Sequence, residues 1–519
     1  MNDDLRSTPR PLGTLVADAA ATQPGAPAII AGDTTHSYEE LETDAGRVAR
    51  GLVEAGVRPG DRVALFMPNC LELVLAYFAC FKAGAIAVPL NTRYRWPEAR
   101  YAIEHSGATT LLVHTALVGE IEVAALAALG VVRRHLAGGG ELPPSFRAFD
   151  DLLTAREEAE LPAVVADQDA LILYTSGSTA KPKGVTLTHA NVCHSLWAYP
   201  EQWSLTGTDG VVIGLSLSHA AGLVCQLLVT IAIGGRGILL PAFDPQAMLG
   251  AIEAHRATWT LLLPPQVGDL AEQASATAGL HDLGSLRFVI VGGDKTPLPT
   301  FARFREALGF DATEGCGITE CIPYASNRPF GPRRLGSIGM PAPGTELRID
   351  GARRPGDQGE MLLRGPGLMR GYWRDPEATS TALVGGWFRT GDLGWIDEDG
   401  YVWWAGRTKF IIVRGGSNIS PLEIEEVMNA HPGVMESAVI GAPDEKLGQR
   451  VVAYAVTRQG PGSPSGEGLR GFVAERLAGY KVPEAVVLLP SLPTAGMGKV
   501  DRAALLRRVE SDLRAAAAT

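Results

Sequence analysis

Hydrophobic and polar positions divide most of the chain into short apolar strands that alternate with helices. Apolar runs of strand length end at glycine, serine or proline in "GDRVALFM", "GAIAVPL", "TDGVVIGLSL", "ATWTLLLPP" and "LRFVIVGG". Between the first two of these runs, "ELVLAYFACFKA" predicts a helix. Strands that alternate with helices predict buried, mostly parallel sheets with helices on their faces. In such sheets, ligands bind in the loops that follow the carboxyl ends of the strands.

The pattern changes near Gly406, where the long alternating stretches end. The segments "KFIIVRGGSNISPLEIEEVMNAHPGV", "MESAVIGA" and "RVVAYAVTRQ" are typical of a small α+β unit, and residues 459–468 are rich in Gly, Ser and Pro, which predicts an exposed loop. The sequence therefore predicts an α/β protein of two domains. Residues 1–408 form a large N-terminal domain of parallel or mixed sheets flanked by helices. Residues 409–519 form a small, mobile α+β domain.

Composition and charge exclude several classes of function. The chain has 519 residues, of which 46% are hydrophobic and 20% charged, as in an ordinary globular enzyme. Its formal net charge is −11. Nucleic acids and anionic membranes require a basic face on their protein partner, so neither is expected as a partner here. A nucleotide needs only a local cationic site and stays compatible with this charge.

Cysteine spacing and hydropathy point to the cytoplasm. The six cysteines include no Cys-x-x-Cys pair, so free thiols are expected rather than disulfides or a zinc site. The first residues contain early acids and no apolar segment, so no secretory signal is expected. The most apolar stretch, Leu223–Phe243, contains Gln226, Gly234, Gly235 and Arg236 and is too interrupted to span a bilayer.

Residues 171–189, "LILYTSGSTAKPKGVTLTH", run from an apolar strand directly into a loop rich in hydroxyl groups, which we call the phosphate loop. Hydroxyls and backbone amides donate to phosphate oxygens, and Lys183 adds a positive charge. The segment lacks the Gly-Lys-Ser/Thr ending of a Walker A loop and the Gly-x-Gly-x-x-Gly of a dinucleotide turn. The loop therefore predicts a polyphosphate site of another kind.

The core of this loop, "YTSGSTAKPKG", closely resembles the signature of the adenylate-forming superfamily, which includes acyl-CoA synthetases, adenylation domains of peptide synthetases and firefly-type luciferases. Ala180 stands where the usual signature has a second glycine. Further matches follow in the family's order over nearly the whole chain: "HSYEELETDAGRVARGL", "FACFKAGAIAVPLN", "GCGITE", "LGSIGMPAPGTELRI", "WFRTGDLGWIDEDGYVWWAGRTKFII", "GGSNISPLEIE" and "PTAGMGKVDR".

The resemblance implies a reaction in two steps. Members of the family join a carboxylate to the α-phosphate of ATP and expel pyrophosphate. A second nucleophile then attacks the acyl-adenylate. Both steps concentrate negative charge, so catalysis rests on positioning and on electrostatic stabilisation.

The resemblance also assigns roles to individual residues. The β- and γ-phosphates would be held by Thr175, Ser176, Gly177, Ser178, Thr179 and Lys183. Thr319 would bind the α-phosphate, and Glu320 would hold a Mg²⁺ ion that offsets phosphate charge. Asp392 would accept both ribose hydroxyls with help from Arg407. Lys499 would bridge the carboxylate and the α-phosphate oxygens during adenylation.

Lys409 occupies the position at which the small domain of such enzymes pivots between the two half-reactions. A residue that absorbs a large backbone change at a domain boundary is an ordinary hinge. Family members often carry Asp at the next position, whereas this chain has Phe410.

Cys316 is the more informative departure, because most relatives have an aromatic residue there that stacks on adenine. The resemblance places Cys316 and Gly317 beside the nucleotide, and a cysteine offers only a small polarizable contact. By analogy with base–aromatic contacts, the lost stacking costs about 1–3 kcal/mol unless another residue covers the ring.

The acyl pocket is expected between residues 215–225, 291–298 and 315–325. Its candidate residues are His219, Gly222, Gly292, Gly293, Asp294 and Ile318. His219 would lie near the substrate carboxylate, or it packs as an ordinary histidine. The three glycines would leave room for the acid's tail, and the apolar lining favours a medium-chain fatty, alicyclic or aromatic acid over a dicarboxylate. Asp294 and Lys295 would alternatively bind a polar group of the acid.

The acceptor is expected to be coenzyme A, because the chain is free-standing and carries no carrier-protein module. The main alternative is an amide-forming ligase, in which an amine captures the same acyl-adenylate. A third interpretation is a nucleotide-binding protein without turnover. The presence of Glu320, Asp392 and Lys499 together argues against that third interpretation.

Overall fold

The structure is a computed structural model that describes residues 6, 8–155, 159–175, 182–414, 417–444, 447–458, 460, 463–477, 479–495 and 499–517. Within these ranges the strands form two large sheets, two smaller sheets and a short two-stranded ribbon. The two large sheets and the first small sheet belong to the N-terminal part of the chain. The remaining sheet and the ribbon follow Lys409.

The first large sheet carries the strand that leads into the phosphate loop. In spatial order, its described strands are Gly371–Tyr372, Lys183–Thr188, Asp169–Thr175, Ile86–Pro89, Arg62–Phe66, Thr110–His114, Arg133–Ala137 and Arg147–Ala148. The interior pairs are parallel, whereas Asp169–Thr175 pairs antiparallel with Lys183–Thr188. The phosphate loop therefore joins the two strands of a hairpin.

The second large sheet carries the segment "GCGITE" near one of its edges. Its described strands are, in spatial order, Met340–Pro341, Cys321–Ser326, Thr313–Ile318, Phe288–Val291, Trp259–Leu262, Gly210–Ile213, Arg236–Leu239, Pro27–Ala31 and Thr34–Ser37. Its centre is parallel, and both edges are antiparallel. The loops after Phe288–Val291 and after Gly210–Ile213 leave from carboxyl ends of parallel strands.

Helices cover both faces of the large sheets. The described α-helices of this part are Leu15–Thr22, Tyr38–Glu54, Leu71–Ala83, Trp96–Ser106, His189–Trp203, Val229–Ala232, Pro245–His255, Pro264–Ala276, Leu298–Leu308 and Pro376–Ala382, and Ala221–Leu228 is a π-helix. Short 3₁₀ turns are Leu12–Thr14, Val118–Glu120, Val123–Ala125, Phe149–Thr154 and Thr408–Phe410.

The main core lies between the two large sheets. Helix Leu71–Ala83 is apolar around nearly its whole circumference, because it packs with helix His189–Trp203 between Val63 of one sheet and Val211 of the other. Separate clusters cover the outer faces of the sheets. The helix ends agree with local chemistry; for example, Gly84 closes helix Leu71–Ala83 in the left-handed region with φ of 67°.

The smaller N-terminal sheet carries the segment "RTGDLGW" of the sequence. Its described strands are Glu346–Ile349, Gly359–Arg364, Trp387–Ile396 and Leu383–Val384 in spatial order, with Val402–Arg407 paired to Trp387–Ile396. The last pairing sets Asp392 opposite Arg407. Two of the predicted site residues are therefore brought together by strand register alone.

The C-terminal unit is a small α+β structure with its own core. Its described strands are Ser417–Ile419, Ile412–Arg414, Gly448–Thr457, Val434–Asp444 and Ala485–Leu488, and the ribbon pairs Thr494–Ala495 with Lys499–Val500. Its described helices are Pro421–Asn429, Gly466–Ala474, the 3₁₀ turn Gly479–Lys481, and Arg502–Ala517. Apolar residues pack on both faces of the sheet.

The predicted fold class is confirmed, as are the predicted strands and the helix between the first two of them. The predicted loop at residues 459–468 lies partly outside the described residues, and its last three residues, 466–468, begin a helix that Ser465 caps. The boundary at Lys409 stays a prediction. In the part of the chain that the structure describes, none of the helices has both the length and the apolar content needed to cross a membrane.

Candidate active site

A tight hairpin projects Thr319 and Glu320 from the end of the second large sheet. Strands Thr313–Ile318 and Cys321–Ser326 pair antiparallel, with Ile318 opposite Cys321. Thr319 and Glu320 are therefore the two residues of the turn. A two-residue hairpin loop fixes the direction of its side chains, so the "GCGITE" motif becomes a rigid projection.

Glu320 meets the base of the phosphate loop through Tyr372. The Tyr372 hydroxyl donates to Glu320 Oε1 at 2.9 Å, and Lys183 Nζ lies 4.8 Å from the centre of the Tyr372 ring. Lys183 is paired in register with Thr175, the last residue of the strand before the loop. Burial raises the pKa of the Glu320 carboxyl. A carboxylate thus lies beside the predicted polyphosphate position.

The donor set around Glu320 fits a magnesium ion that is bound together with a nucleotide. Among the described residues there is no group of three or more His, Cys, Asp or Glu side chains that would hold a metal by itself. Mg²⁺ commonly takes one or two carboxylates and completes its shell with substrate phosphates and water. One projecting carboxylate next to a phosphate loop matches that requirement.

Asp392 and Arg407 form an ion pair in which the carboxylate is buried and the guanidinium is partly exposed. The Asp392 side chain is nearly inaccessible to solvent, and Arg407 Nε donates to its Oδ1 at 2.8 Å. Burial raises the pKa of Asp392, and the charge of Arg407 opposes that rise. Burying an ion pair usually contributes little to stability, so this pair is better explained by what it binds.

Lys499 of the C-terminal unit reaches the same site. It lies on the two-stranded ribbon, opposite Ala495, and is exposed. Its positive charge adds to the lowering of the pKa of His219, and it opposes the rise that burial causes in the pKa of Asp392 and of Cys316. The structure therefore brings a lysine from the end of the chain to side chains that leave both the second large sheet and the smaller N-terminal sheet.

His219 is a neutral imidazole with a free buried nitrogen. Burial, followed by the positive charges of Lys499 and Arg93, lowers its pKa to about 4. Its Nε2 atom is buried without a hydrogen-bond partner among the described residues. The π-helix Ala221–Leu228 begins two residues later, and π-helical turns often occur at functional sites. Because buried polar atoms are normally paired, Nε2 is suited to contact a substrate.

Cys316 is half-buried beside Tyr324 and close to the charges of Asp392, Arg407 and Lys499. Burial, followed by the negative charge of Asp392, raises the pKa of its thiol to about 12. A protonated thiol is a poor nucleophile, so Cys316 is not a covalent catalyst at neutral pH. Its neighbours agree with the prediction that it faces the nucleotide half of the site.

The glycines that were expected to leave room for the acid's tail are required by close backbone contacts or by backbone conformation. A Cβ atom on Gly222 would lie 2.4 Å from the Ser216 carbonyl oxygen, and one on Gly292 would lie 2.6 Å from that of Gly315. Both positions are close backbone contacts rather than open space. Gly293 adopts φ of +92°, in the region that favours glycine. The expected room at Gly222 and Gly292 is therefore absent.

Open space lies instead at Gly317. This residue is exposed, and a Cβ added to it would meet only the Tyr199 hydroxyl, at 3.5 Å. Ile318 is partly buried and packs against the main core. Asp294 is exposed, and its Oδ1 accepts a hydrogen bond from the Lys295 amide at 2.9 Å.

Some predicted positions lie outside the described residues, and some contacts were not predicted. Ser176, Gly177, Ser178 and Thr179 lie outside the described ranges, so their predicted roles stay predictions. Tyr372, which joins Lys183 to Glu320, and Trp404, which hydrogen-bonds Asp392, were missed. Each is an aromatic residue in a segment with several others, so nothing in the sequence marks it.

Glu314 makes the stability of the folded protein depend on pH. It is only 4% exposed, and neither carboxyl oxygen has a hydrogen-bond partner among the described residues. Burial raises its pKa from 4.5 to about 7, with Glu426 adding to the rise, while Lys295 and the Thr296 amide oppose it. Between these pH values the folded state holds a proton that the unfolded state has lost. Stability therefore falls as pH rises from 4.5 to 7.

We expect Glu314→Gln to abolish this pH-dependent loss, which amounts to about 3 kcal/mol in total. Thermal melting of both proteins at pH 5 and pH 8 measures the effect. The melting temperature of Glu314→Gln minus that of the wild type should be larger at pH 8 than at pH 5. Glu398→Gln, at an exposed position, is the control. Equal pH slopes for wild type and Glu314→Gln would contradict the assignment.

Family models match most of the chain. The model described as "AMP-binding enzyme" matches residues 16–373, and the model described as "AMP-binding enzyme C-terminal domain" matches residues 423–499. The chain is similar to feruloyl-CoA synthase of Amycolatopsis sp, with 39% identity over 504 residues that cover 96% of this chain and 99% of that protein.

Solved structures agree with this relationship. The chain is similar to the crystal structure of ATP-bound MatB from Rhodopseudomonas palustris, with a TM-score of 0.87, 32% identity, and coverage of 96% of this chain and 98% of that one. It is also similar to the amide bond synthetase McbA from Marinactinospora thermotolerans, with a TM-score of 0.87, 29% identity, and coverage of 96% and 100%. The chain belongs to the AMP-binding enzyme family and is an adenylate-forming ligase of the acid–CoA ligase type.

Proposed function

We propose that this protein uses ATP and Mg²⁺ to convert a carboxylic acid into an acyl-adenylate, and then transfers the acyl group to coenzyme A. The observation that carries the proposal is the buried Asp392 carboxylate, which Arg407 Nε holds at 2.8 Å and on which the charge of Lys499 from the C-terminal unit also acts. Two anions, a carboxylate and a triphosphate, must approach each other there. A lysine from the C-terminal unit supplies positive charge at the point where they meet.

Each residue then has a part in binding or positioning. Asp392, held by Arg407, accepts the ribose hydroxyls. Lys183 and the phosphate loop hold the β- and γ-phosphates, and Thr319 binds the α-phosphate. When bound, Mg²⁺ supplies charge neutralisation at the phosphates, and Glu320, oriented by the Tyr372 hydroxyl, is the residue that would hold it.

In this proposal, Lys499 donates to a carboxylate oxygen and to an α-phosphate oxygen in the same step. Its ammonium group offsets the repulsion between the attacking carboxylate and the phosphate. Neutral His219 presents an unpaired nitrogen from the other side and orients the carboxylate without adding charge. The acid's oxygen attacks the α-phosphorus, and pyrophosphate leaves with the electron pair of the broken bond.

The acid that we propose is an aromatic one that carries a ring hydroxyl, as ferulate does. The feruloyl-CoA synthase relative matches nearly the whole chain. The open space at Gly317 is bordered by the Tyr199 hydroxyl, which accepts a hydrogen bond from the Cys225 thiol at 3.5 Å. Tyr199 itself stacks on Trp203 with ring centres 4.1 Å apart. A hydroxyl that is held by Cys225 and by the stacking of its ring on Trp203 suits a phenol better than an alkyl chain.

An amine as acceptor is the second candidate. The similarity to the amide bond synthetase McbA, over 96% of this chain, favours it. Both candidates share the acyl-adenylate and differ only in the nucleophile of the second step. Working in the cytoplasm suits either reaction, since all six cysteines are free thiols and ATP and coenzyme A are abundant there.

The test is a product analysis with a matched panel of acids. The protein is incubated with ATP, Mg²⁺ and ferulate, cinnamate or octanoate, first with coenzyme A and then with an amine. Products are identified by mass, and pyrophosphate is measured in parallel. We expect the feruloyl thioester to form fastest, cinnamate to react more slowly, and octanoate to react least. Amide without thioester would favour the second candidate, and no acid-dependent pyrophosphate would contradict both.

Replacing Cys316 tests the nucleotide side of the site. We expect Cys316→Tyr to supply a stacking surface for adenine and to lower the KM for ATP by about tenfold, the equivalent of about 1.4 kcal/mol. The KM for the acid should change less. Steady-state kinetics with either substrate varied gives both values, and Cys316→Ser is the matched control.

Overpacking by the larger ring costs about 1–3 kcal/mol, so melting curves must accompany the kinetics of Cys316→Tyr. A large change in the KM for the acid with none for ATP would place this side chain in the acyl pocket instead. No change in either KM would contradict the roles assigned to the "GCGITE" segment.

A further inference from the structure

The loop of residues 292–298 makes an ion pair with the C-terminal unit. This loop follows strand Phe288–Val291 of the second large sheet. Lys295 Nζ lies 3.3 Å from Glu426 Oε1 on helix Pro421–Asn429, and it also donates to the Gly336 carbonyl oxygen at 3.2 Å. The Lys295 side chain is only 15% exposed. The pair therefore links a held, half-buried lysine of the N-terminal part to the surface of a C-terminal helix.

The same helix anchors the segment that carries Lys499. Glu425, the neighbour of Glu426, accepts hydrogen bonds from both terminal nitrogens of Arg502, at 2.6 and 2.9 Å. Arg502 also donates to the Val439 carbonyl oxygen at 2.6 Å. Arg502 follows Lys499 by three residues. A bidentate arginine–carboxylate pair fixes geometry as well as charge, so the position of helix Pro421–Asn429 determines the position of Lys499.

A second electrostatic interaction links the same loop to the C-terminal unit, between Asp294 and Arg502. The negative charge of Asp294 acts on Arg502, and the guanidinium carbon of Arg502 lies 5.4 Å from the centre of the Phe410 ring. Lys295 thus pairs with an acidic residue of the C-terminal unit, and the charge of its neighbour Asp294 raises the pKa of Arg502. Two adjacent residues with opposite signs match the C-terminal unit in one orientation and in one register.

We infer that Lys295, with Asp294 beside it, is a positioning residue that holds the C-terminal unit in the orientation in which Lys499 reaches the adenylation site. The inference rests on the proposed function. In this role they act through Glu426, Arg502 and the chain between Arg502 and Lys499, which carries the catalytic ammonium group. In this inference the pair breaks when the C-terminal unit turns for the transfer step, so its free energy favours the adenylation half-reaction.

Reversing the charge of Glu426 is the sharpest test, because this side chain is exposed and its replacement leaves the core intact. In Glu426→Lys, two lysines would face each other. We expect acid-dependent pyrophosphate release to fall about fivefold, while consumption of synthetic acyl-adenylate by coenzyme A is unchanged or faster. Raising the salt concentration should shrink the difference.

The matched control is Glu423→Gln on the same helix. Glu423 pairs with Lys481 at 2.5 Å, and both belong to the C-terminal unit. This variant should leave the ratio of the two half-reactions at its wild-type value. Lys295→Met should reproduce the ratio seen in Glu426→Lys. Its melting temperature must be measured as well, because Glu314 then loses a neighbouring cation.

Hydrogen–deuterium exchange provides a readout that does not depend on turnover. Amides of residues 292–298 and 421–429 should exchange faster in Glu426→Lys than in the wild type, with no change in Glu423→Gln. Equal losses in both half-reactions, or unchanged exchange in Glu426→Lys, would overturn the inference. If the wild type releases no pyrophosphate with any acid, the proposed function fails, and the exchange result alone decides whether the two units are held by this contact.

Discussion

Replacement of Lys499 by alanine is expected to lower acid-dependent pyrophosphate release by about 10²- to 10³-fold, the usual cost of removing a charged transition-state contact. The ammonium group acts while the carboxylate attacks phosphorus, and no such approach occurs in the second step. Transfer from synthetic acyl-adenylate to coenzyme A should therefore stay close to the wild-type rate. The two half-reactions are measured separately, by pyrophosphate release and by loss of acyl-adenylate.

Lys499→Arg is the matched control, since it keeps the charge and changes the geometry. Lys499 is exposed, so folding should be unaffected by either substitution. Near-normal pyrophosphate release in Lys499→Ala would show that this residue takes no part in adenylation. An equal loss in both half-reactions would show that the charge of Lys499 contributes to substrate binding in both steps and has no special role in adenylation.

Lys409→Pro is expected to slow transfer to coenzyme A by about 10²-fold while adenylation falls only a few-fold, as when a hinge is locked in one state. Lys409 lies in the 3₁₀ turn Thr408–Phe410, directly after strand Val402–Arg407. Proline fixes φ near −65°, which lies within the range of a 3₁₀ turn. It is therefore compatible with the present backbone at residue 409 and opposes the rotation of that backbone between the half-reactions. Single-turnover measurements of each half-reaction test this.

Lys409→Ala separates backbone from side chain, because it keeps the rotational freedom of the original residue. That variant should retain both half-reactions. Small and equal losses in Lys409→Pro would mean that the backbone change between half-reactions occurs elsewhere, and the predicted boundary between residues 408 and 409 would have to move.

Much of the fold follows from local patterns. Apolar runs that end at glycine or proline predicted strands such as Arg62–Phe66 and Phe288–Val291, because buried parallel strands need continuous apolar faces. Strand register then brought Asp392 opposite Arg407, a contact between two residues already marked by their motifs. Local pattern and motif order together were sufficient for these elements.

Contacts between distant segments were beyond the reach of the sequence. Glycines at 222 and 292 suggested space, but the structure fills that space with neighbouring carbonyl groups, because a missing side chain serves close packing as readily as it opens a pocket. The sequence offered a polar group of the acid as one alternative partner for Lys295 and gave no sign of its ion pair with Glu426, far along the chain. Neither outcome leaves a signal in residue type or spacing.

The thiol at position 316 has a consequence for the chemical safety of the reaction. An acyl-adenylate is a strong acyl donor, and the reaction ends with attack by a thiol. A cysteine inside the same site would compete with coenzyme A if it were ionised, and the protein would acylate itself. With its pKa raised to about 12, only about one Cys316 side chain in 10⁵ is a thiolate at pH 7. Burial thus keeps the thiol protonated, so a sulfur atom can lie beside a reactive mixed anhydride without being acylated by it.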